Sequence, residues 1–290
     1  MPKIANSPDK TNGSRKSASG LGKLLTGTSF WPRVLRSIVV AYLGFMAFAW
    51  FGADRTIFAP QAAGYRDTPQ FLKIPVTATE KITAFSLLNP QATYTVLYSH
   101  GQSEDLGDSN TLKMIDRIHQ SGFNVFAYDY RGHGTSDGLV SEQNAYQDVD
   151  AAYRYLTEQL RVPANKIIVY GRSLGGAMAI DLAAKRPVAG LVVESSFTTA
   201  FRVVVPFPVL PFEKFNSIAK LAKIRCPVLI MHGDVDRTIP FSHGQQLYTA
   251  ALNPKKYFWV SGAGHTDLGD VAGKVYDGAL QEFQKLLEKY

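Results

Sequence analysis

The chain has 290 residues, of which 46% are hydrophobic and 19% are charged, so it is long and apolar enough to bury a large core. Its formal net charge is +7, but residues 1–36 contain seven basic residues and one acidic residue, which leaves only +1 on residues 37–290. A basic nucleic-acid-binding domain is therefore not expected. The single cysteine, Cys226, excludes an intramolecular disulfide and a cysteine-rich zinc site.

The first part of the chain predicts a basic tail followed by a membrane-spanning segment. Residues 1–33 are rich in Ser, Gly and Lys and lack apolar periodicity, so we expect a flexible tail. Residues 34–56 contain a long uncharged apolar run, and Arg33 and Arg36 precede it. Positive charge on this side predicts that the N-terminus is cytoplasmic and that the rest of the chain lies across the membrane. Two alternatives stay open: a signal peptide whose cleavage leaves a secreted or periplasmic protein, and a buried core helix.

Strand and helix patterns alternate through the rest of the chain. Strands are predicted near Phe71–Val76, Ile82–Leu88, Thr93–Ser99, Asn124–Tyr130, Lys166–Tyr170, Gly190–Glu194, Val228–Met231 and Lys256–Val260. Helices are predicted over Thr111–Gln120, Glu142–Gln159, Leu174–Lys185, His243–Leu252 and Asp270–Glu288. Several strands are short, apolar and β-branched, which is typical of a parallel sheet covered by helices on both faces. We therefore predict one α/β domain over residues 65–290, built on a doubly wound, mostly parallel sheet.

A reactive serine is predicted at the end of the fifth strand. The sequence GRSLGG, residues 171–176, follows this strand and precedes a helix, which is the G-x-S-x-G pattern in its strand–turn–helix context. The glycines allow a sharp turn that exposes the Ser173 hydroxyl, and the helix N-terminus points its amides at whatever reacts there. Ser173 is the predicted nucleophile. The alternative is a glycine-rich turn that happens to contain a serine.

A serine hydroxyl needs a base, and the base needs a carboxylate to orient it. His265, in SGAGHTD after the last predicted strand, is the predicted base. Asp236, in HGDVDRTIP after the seventh strand, is the predicted acid, with Asp234 and Glu194 as alternatives. The order Ser, acid, His is the one expected of an α/β-hydrolase. The remaining histidines are interpreted as structural, capping or surface residues: His100, His119, His133, His232 and His243.

Acyl chemistry also needs hydrogen-bond donors for the developing oxyanion. The backbone N–H of Leu174, directly after the nucleophile, is one predicted donor. The second is the backbone N–H of Gln102, in the sequence SHGQS that follows the third strand. An ordinary turn at the strand end is the alternative interpretation of that sequence.

The chain from about residue 70 to residue 290 resembles a serine hydrolase of the α/β-hydrolase superfamily. Four motifs occur in the family's order: SHGQ, YDYRGHGTSDG, GRSLGG, and HGDVDRTIP followed by GAGH. With its one N-terminal apolar segment, the chain is similar to the membrane-anchored α/β-hydrolase-domain proteins, a group broader than the protein depalmitoylases that it resembles. The resemblance implies a triad of Ser173, Asp236 and His265, with Gln102 and Leu174 at the oxyanion hole.

Two departures from that group bear on the substrate. Many relatives have Asn where this chain has Gln102, although a backbone donor survives that change. The depalmitoylases carry an N-terminal cysteine cluster, which this chain lacks, so depalmitoylation is not specifically expected. In this fold an insertion such as residues 197–224 forms a small cap over the nucleophile. Its apolar, proline-containing stretch fits an acyl chain or aromatic ester, and a linker that packs into the core is the equal alternative.

The sequence thus predicts a membrane-anchored serine hydrolase that cleaves a carboxylic ester or thioester through an acyl-enzyme on Ser173. The expected partners are a small-molecule or lipid-like acyl substrate and the membrane, with no nucleic acid, cofactor or metal. A peptidase or amidase with the same triad, a transacylase, and a catalytically silent membrane-tethered interaction protein are the alternatives. The acyl group and the oligomeric state stay open.

Overall fold

The computed structural model describes residues 30–290. Residues 1–29 of the predicted tail, residues 1–33, lie outside the described residues. The last four residues assigned to the flexible tail are helical, because they begin helix α1, Phe30–Phe51. This helix belongs to the first of two compact units, which ends at Gly52. By length and composition it is able to cross a membrane, and Ala49 is its one buried residue.

The second unit, Ala53–Tyr290, is built on one eight-stranded sheet. Its strands are β1 Leu72–Pro75, β2 Lys81–Leu87, β3 Thr95–Ser99, β4 Asn124–Tyr128, β5 Ile167–Arg172, β6 Gly190–Glu194, β7 Val228–Gly233 and β8 Lys255–Val260. They are ordered β1-β2-β4-β3-β5-β6-β7-β8. Strand β2 pairs antiparallel with β1 and with β4. The other six strands, β4-β3-β5-β6-β7-β8 in sheet order, pair in parallel. All eight predicted strands are present, and the predicted fold class is confirmed.

Helices cover both faces of this sheet. They are α2 Ala53–Phe58, α3 Ser109–Gln120, α4 Glu142–Arg154, α5 Gly175–Ala183, α6 Ala200–Val204, α7 Ile218–Leu221, α8 Phe241–Ala250, α9 Leu268–Ala272 and α10 Lys274–Leu287. Alternate side chains of each central strand point to opposite faces, so the strands feed two separate cores. Helices α4, α5 and α8 pack on one face, whereas α3, α9 and α10 pack on the other. Burial on both sides explains why the central strands are apolar throughout.

Two predicted helices differ from those observed. The pattern over Asp270–Glu288 predicts one helix, but Gly273 adopts a left-handed φ of +53° and separates α9 from α10. The pattern over Glu142–Gln159 predicts an uninterrupted helix, but α4 ends at Arg154 and continues as one π-helical turn, Tyr155–Gln159. Apolar periodicity continues through both changes, which is why it does not reveal them.

Candidate active site

The sequence GRSLGG forms a sharp turn between β5 and α5, and Ser173 lies at its apex. Ser173 has a φ of +54°, a left-handed conformation that a serine rarely adopts. The Ser173 N–H donates to Glu194 O at 2.8 Å, and the Ser196 hydroxyl donates to Ser173 O at 2.7 Å. A Cβ atom on Gly175 would collide with the backbone oxygen of Ser99. The glycine therefore allows the turn to lie directly against the end of β3.

A chain of hydrogen bonds runs from this serine to a buried carboxylate. The Ser173 Oγ lies 2.9 Å from Nε2 of His265, which follows β8. The His265 Nδ1 lies 2.8 Å from Oδ2 of Asp236, which follows β7. These residues are 92 and 29 positions apart in sequence, and they meet because parallel strands end at the same edge of a sheet. The structure thus brings together the predicted nucleophile, base and acid.

Asp236 is held as a carboxylate by its surroundings. Its Oδ1 accepts the backbone N–H groups of Thr238 and Ile239, each at 2.8 Å. Burial acts to raise the pKa of Asp236, but hydrogen bonds from His232 and His265 outweigh burial and hold this pKa well below its usual range. The ionised form is the one that orients an imidazole through Nδ1 and stabilises its cation.

His232 is a second imidazole beside the same carboxylate, and sequence reasoning treats it as structural. Its Nε2 lies 3.3 Å from Asp236 Oδ2 and donates to Ile239 O at 2.9 Å, so it bridges both ends of the acid loop. The side chain is fully buried. Its place at the end of β7, four residues before Asp236, is the signal that identifies it.

The two alternative acids contact neither His265 nor Ser173 through their side chains. Asp234 accepts the Gly262 N–H at 2.7 Å and the Ser261 hydroxyl at 2.9 Å, so it joins the loop after β7 to the loop after β8. Glu194 is buried between two phenols, Tyr170 and Tyr276, and both donate to its Oε2. Asp234 therefore holds a turn. Glu194 is bonded to side chains of the core that lies under α3, α9 and α10.

Within the described residues, no hydrogen bond joins Ser173 to any of the other histidines. His100 and His133 are buried next to each other, with ring centroids 5.6 Å apart. The Thr198 N–H lies 3.2 Å from His243 Nδ1, so this imidazole holds the start of the insertion after β6. His119 lies on α3, where its Nε2 is 3.2 Å from Leu88 O.

The two predicted oxyanion donors lie in adjoining segments. Leu174 follows Ser173 in the turn, and Gln102 follows β3, whose end touches Gly175. Within residues 30–290, neither the Leu174 nor the Gln102 backbone N–H has an acceptor in the protein. The Gln102 side chain instead donates to Thr56 O in α2 at 3.1 Å. Backbone N–H groups without an acceptor are the kind of donor that a developing oxyanion requires.

The insertion over residues 197–224 combines a packed base with an exposed tip. Four of its apolar side chains are buried with the main core: Phe197, Phe215, Leu221 and Ile224. Val204 and Phe207 are exposed at 83% and 60%. A cavity of about 580 Å³ lies between this insertion and α8, and its lining includes Arg202, Glu213 and His243. That lining is mixed in polarity, so this cavity by itself does not select an acyl chain.

The comparisons with known proteins agree with this architecture. Residues 90–219 match the family described as serine aminopeptidase, S33. The alpha/beta hydrolase domain-containing protein 17B of Xenopus tropicalis is 39% identical over 186 residues, which are 63% of this chain and 64% of that protein. The alpha/beta hydrolase domain-containing protein aho-3 of Caenorhabditis elegans is 39% identical over 185 residues, or 62% of this chain and 54% of that protein. The chain therefore spans less than two thirds of the length of these relatives.

Among solved structures, the esterase Pf2001 of Pyrococcus furiosus superposes with a TM-score of 0.66. The superposition covers 78% of this chain and 98% of the esterase, at 21% sequence identity. At that identity the likeness establishes a shared fold.

Proposed function

We propose that this chain, a member of the α/β-hydrolase superfamily that resembles the alpha/beta hydrolase domain-containing 17 proteins, is a membrane-anchored serine hydrolase of carboxylic esters or thioesters. The observation that carries the proposal is the hydrogen-bonded series Ser173 Oγ, His265 and Asp236, with distances of 2.9 and 2.8 Å. Such a series on a strained turn matches the requirements of an activated nucleophile. The family match and the esterase fold support hydrolysis in general.

The proposed reaction has two halves. Ser173 Oγ bonds to the substrate carbonyl carbon while its proton passes to His265 Nε2, and the carbonyl oxygen becomes an anion facing the Gln102 and Leu174 N–H groups. The tetrahedral intermediate collapses, the C–O or C–S bond breaks, and His265 returns the proton to the leaving alcohol or thiol. Water then attacks the acyl-enzyme, gives one proton to His265, and releases the acid as Ser173 regains its proton. Asp236 keeps Nδ1 of His265 protonated throughout.

The test of this proposal uses a fluorophosphonate probe and the full chain in detergent. The wild type is expected to become labelled, and Ser173→Ala is expected to remain unlabelled because the probe requires the serine oxygen. Ser196→Ala is the matched control, since Ser196 donates to Ser173 O but has no bond to His265. Persistent labelling of Ser173→Ala would remove Ser173 from its proposed role. p-Nitrophenyl esters graded by acyl length would then define the acyl group.

A peptidase is the second candidate, because the matching family is described as a serine aminopeptidase. The same series of groups attacks an amide, and the two activities differ in how well the leaving amine is protonated and bound. Aminoacyl p-nitroanilides measured beside the p-nitrophenyl esters separate the two candidates. A higher kcat/KM for the anilides would replace the esterase proposal.

The membrane anchor is part of the same proposal. Helix α1 is 22 residues long, carries its only charges at Arg33 and Arg36 near its start, and exposes nearly all of its apolar side chains. A core helix of a soluble domain would bury those side chains. We expect the protein to stay with membranes after alkaline carbonate extraction. Intact mass tests the cleaved-signal alternative, since a mature chain beginning near Trp50 or Asp54 would refute an anchor.

A further inference from the structure

A buried ion pair joins the loop after β3 to the residue that precedes Ser173. Arg172, the last residue of β5, is 2% exposed, and its Nη2 contacts Oε1 of Glu104. The other oxygen of Glu104 accepts the Gly101 N–H at 2.9 Å and the Thr111 hydroxyl at 3.1 Å. One carboxylate therefore contacts the strand before the nucleophile, the loop that carries Gln102, and the first turn of α3.

Each residue of this pair lies two positions in sequence from one of the predicted oxyanion donors. Arg172 lies two residues before Leu174, and Glu104 lies two residues after Gln102. The bond from Gly101 N–H to Glu104 holds the His100–Gly101 peptide, which adjoins the peptide that carries the Gln102 N–H. The Arg172 contact ties Glu104 to the strand that leads into the Ser173 turn. The separation of the two donors thus depends on one side-chain contact as well as on the approach of Gly175 to Ser99.

A contribution to folding stability does not by itself explain why an ion pair is buried here. Two charges lose their hydration when they are buried, and an apolar pair of similar size is often as stable or more so. The Arg172 Nε is buried without an acceptor among the described residues, so the guanidinium is not fully paired. The geometry points instead to placement of the segments that the pair joins.

We propose that Glu104 and Arg172 are positioning residues that hold the Gln102 and Leu174 N–H groups at the separation that the oxyanion requires. This inference rests on the proposed hydrolase function. Neither side chain is assigned a contact with substrate. Their effect passes through the backbone donors, and a shift of about 1 Å in such groups costs on the order of a hundredfold in rate.

The test compares Glu104→Gln with Asp148→Asn in the full chain. Asp148 is a matched control because it is also buried, pairs with an arginine (Arg131 Nε at 2.6 Å) and accepts a backbone N–H (Arg131 N at 2.8 Å). Both variants are expected to lower the melting temperature. Only Glu104→Gln is expected to lower kcat, by about 10- to 100-fold, with KM changed by less than about threefold. The affinity for a boronic acid, whose serine adduct is tetrahedral, should fall in parallel with kcat.

A double variant keeps the test decisive if Glu104→Gln folds poorly. Glu104→Gln with Arg172→Met removes both charges, so no buried ion is left unpaired. We expect this variant to regain melting temperature but not kcat or boronic acid affinity, because the tie between the two segments is still absent. Recovery of all three quantities would assign the pair a purely structural role and overturn the inference.

The two proposals fail in different ways. A wild type that neither hydrolyses esters nor labels at Ser173 would refute the proposed function. An active wild type in which Glu104→Gln and Asp148→Asn have equal kcat would refute only the positioning role.

Discussion

Replacement of Asp236 by asparagine tests the proposed reaction most directly, because the structure determines which way the new amide must face. Oδ1 of Asp236 accepts two backbone N–H groups, from Thr238 and Ile239, at 2.8 Å each. An amide nitrogen cannot replace that oxygen without opposing two donors. The asparagine is therefore expected to place its NH2 group where Oδ2 now lies, facing His265 Nδ1. His232 Nε2 is farther from that position, at 3.3 Å, and keeps its shorter bond to Ile239 O at 2.9 Å.

The consequence is a change of tautomer in the base. With an N–H donor opposite Nδ1, His265 has to present a lone pair there and carry its proton on Nε2, where it faces Ser173. An imidazole in that state cannot accept the serine proton. In the Ser-His-Asp mechanism the same change lowers kcat by about 10⁴-fold, which corresponds to about 5 kcal/mol of lost transition-state stabilisation.

Steady-state hydrolysis of a p-nitrophenyl ester measures this effect, with Asp234→Asn as the matched control. Asp234 belongs to the same loop but accepts from Gly262 and Ser261 rather than from His265. We expect kcat of Asp234→Asn to remain within about tenfold of wild type, since no proton transfer involves it. A similar kcat for Asp236→Asn and wild type would refute the assignment of His265 as a base held by Asp236.

Three further changes have defined expectations. Gly175→Ala should abolish fluorophosphonate labelling and destabilise the fold by about 1–3 kcal/mol, because its Cβ meets the Ser99 backbone oxygen; wild-type labelling would contradict the close approach. Burial lowers the pKa of His133 to about 4, so the unfolded chain binds the extra proton below about pH 6.5, and this residue alone lowers stability by about 3 kcal/mol between pH 6.5 and 4. Urea unfolding of His133→Leu should show a flatter dependence over that range, and an unchanged slope would exclude His133 as its source. Gln102→Ala keeps the backbone donor and loses only the side-chain bond to Thr56, so its kcat should fall less than tenfold, whereas Gln102→Pro should lose at least about a hundredfold.

The sheet and the meeting of Ser173, His265 and Asp236 could be predicted because their signals are local. Most strands are short apolar runs, and the chemistry-bearing residues lie in the segments that follow strand ends: Ser173 directly after β5, and His265 in the loop after β8. The parallel pairing of β5 to β8 then places those strand ends at one edge of the sheet. No long-range information beyond the strand alternation is needed for that result.

The contacts that support the site could not be predicted in the same way. Glu104 and Arg172 are 68 positions apart, and neither carries a local pattern that names the other as its partner. His232 is recognisable as a strand end, but its direction toward Asp236 depends on how the loop folds back. Periodicity reports which face of an element is buried, and it does not report which polar groups meet there.

Helix α2 shows how this limit changes the boundary of the α/β unit. The sequence predicts a transmembrane anchor or signal segment over residues 34–56 and an α/β-hydrolase domain from residue 65, whereas the second compact unit begins at Ala53. Phe58 is fully buried and packs 5.7 Å from the Tyr130 ring. The same helix accepts from the Gln102 side chain, and Phe58 O accepts the Ser103 N–H at 3.0 Å.

A chain that begins at residue 65 should therefore be less stable and less active than one that begins at Ala53. Loss of the Phe58 side chain alone costs about 3–5 kcal/mol, and the loop that carries Gln102 loses both of its bonds to α2. Melting temperature and kcat of the two chains measure the difference. Phe58→Ala in the longer chain is the control, since it removes the packing but keeps the backbone acceptors. If that variant is destabilised yet retains kcat while the shorter chain loses kcat, the hydrogen bonds that the Gln102 loop donates to α2 support that loop. Equal melting temperatures and equal kcat for the two chains would show that α2 contributes neither stability nor activity.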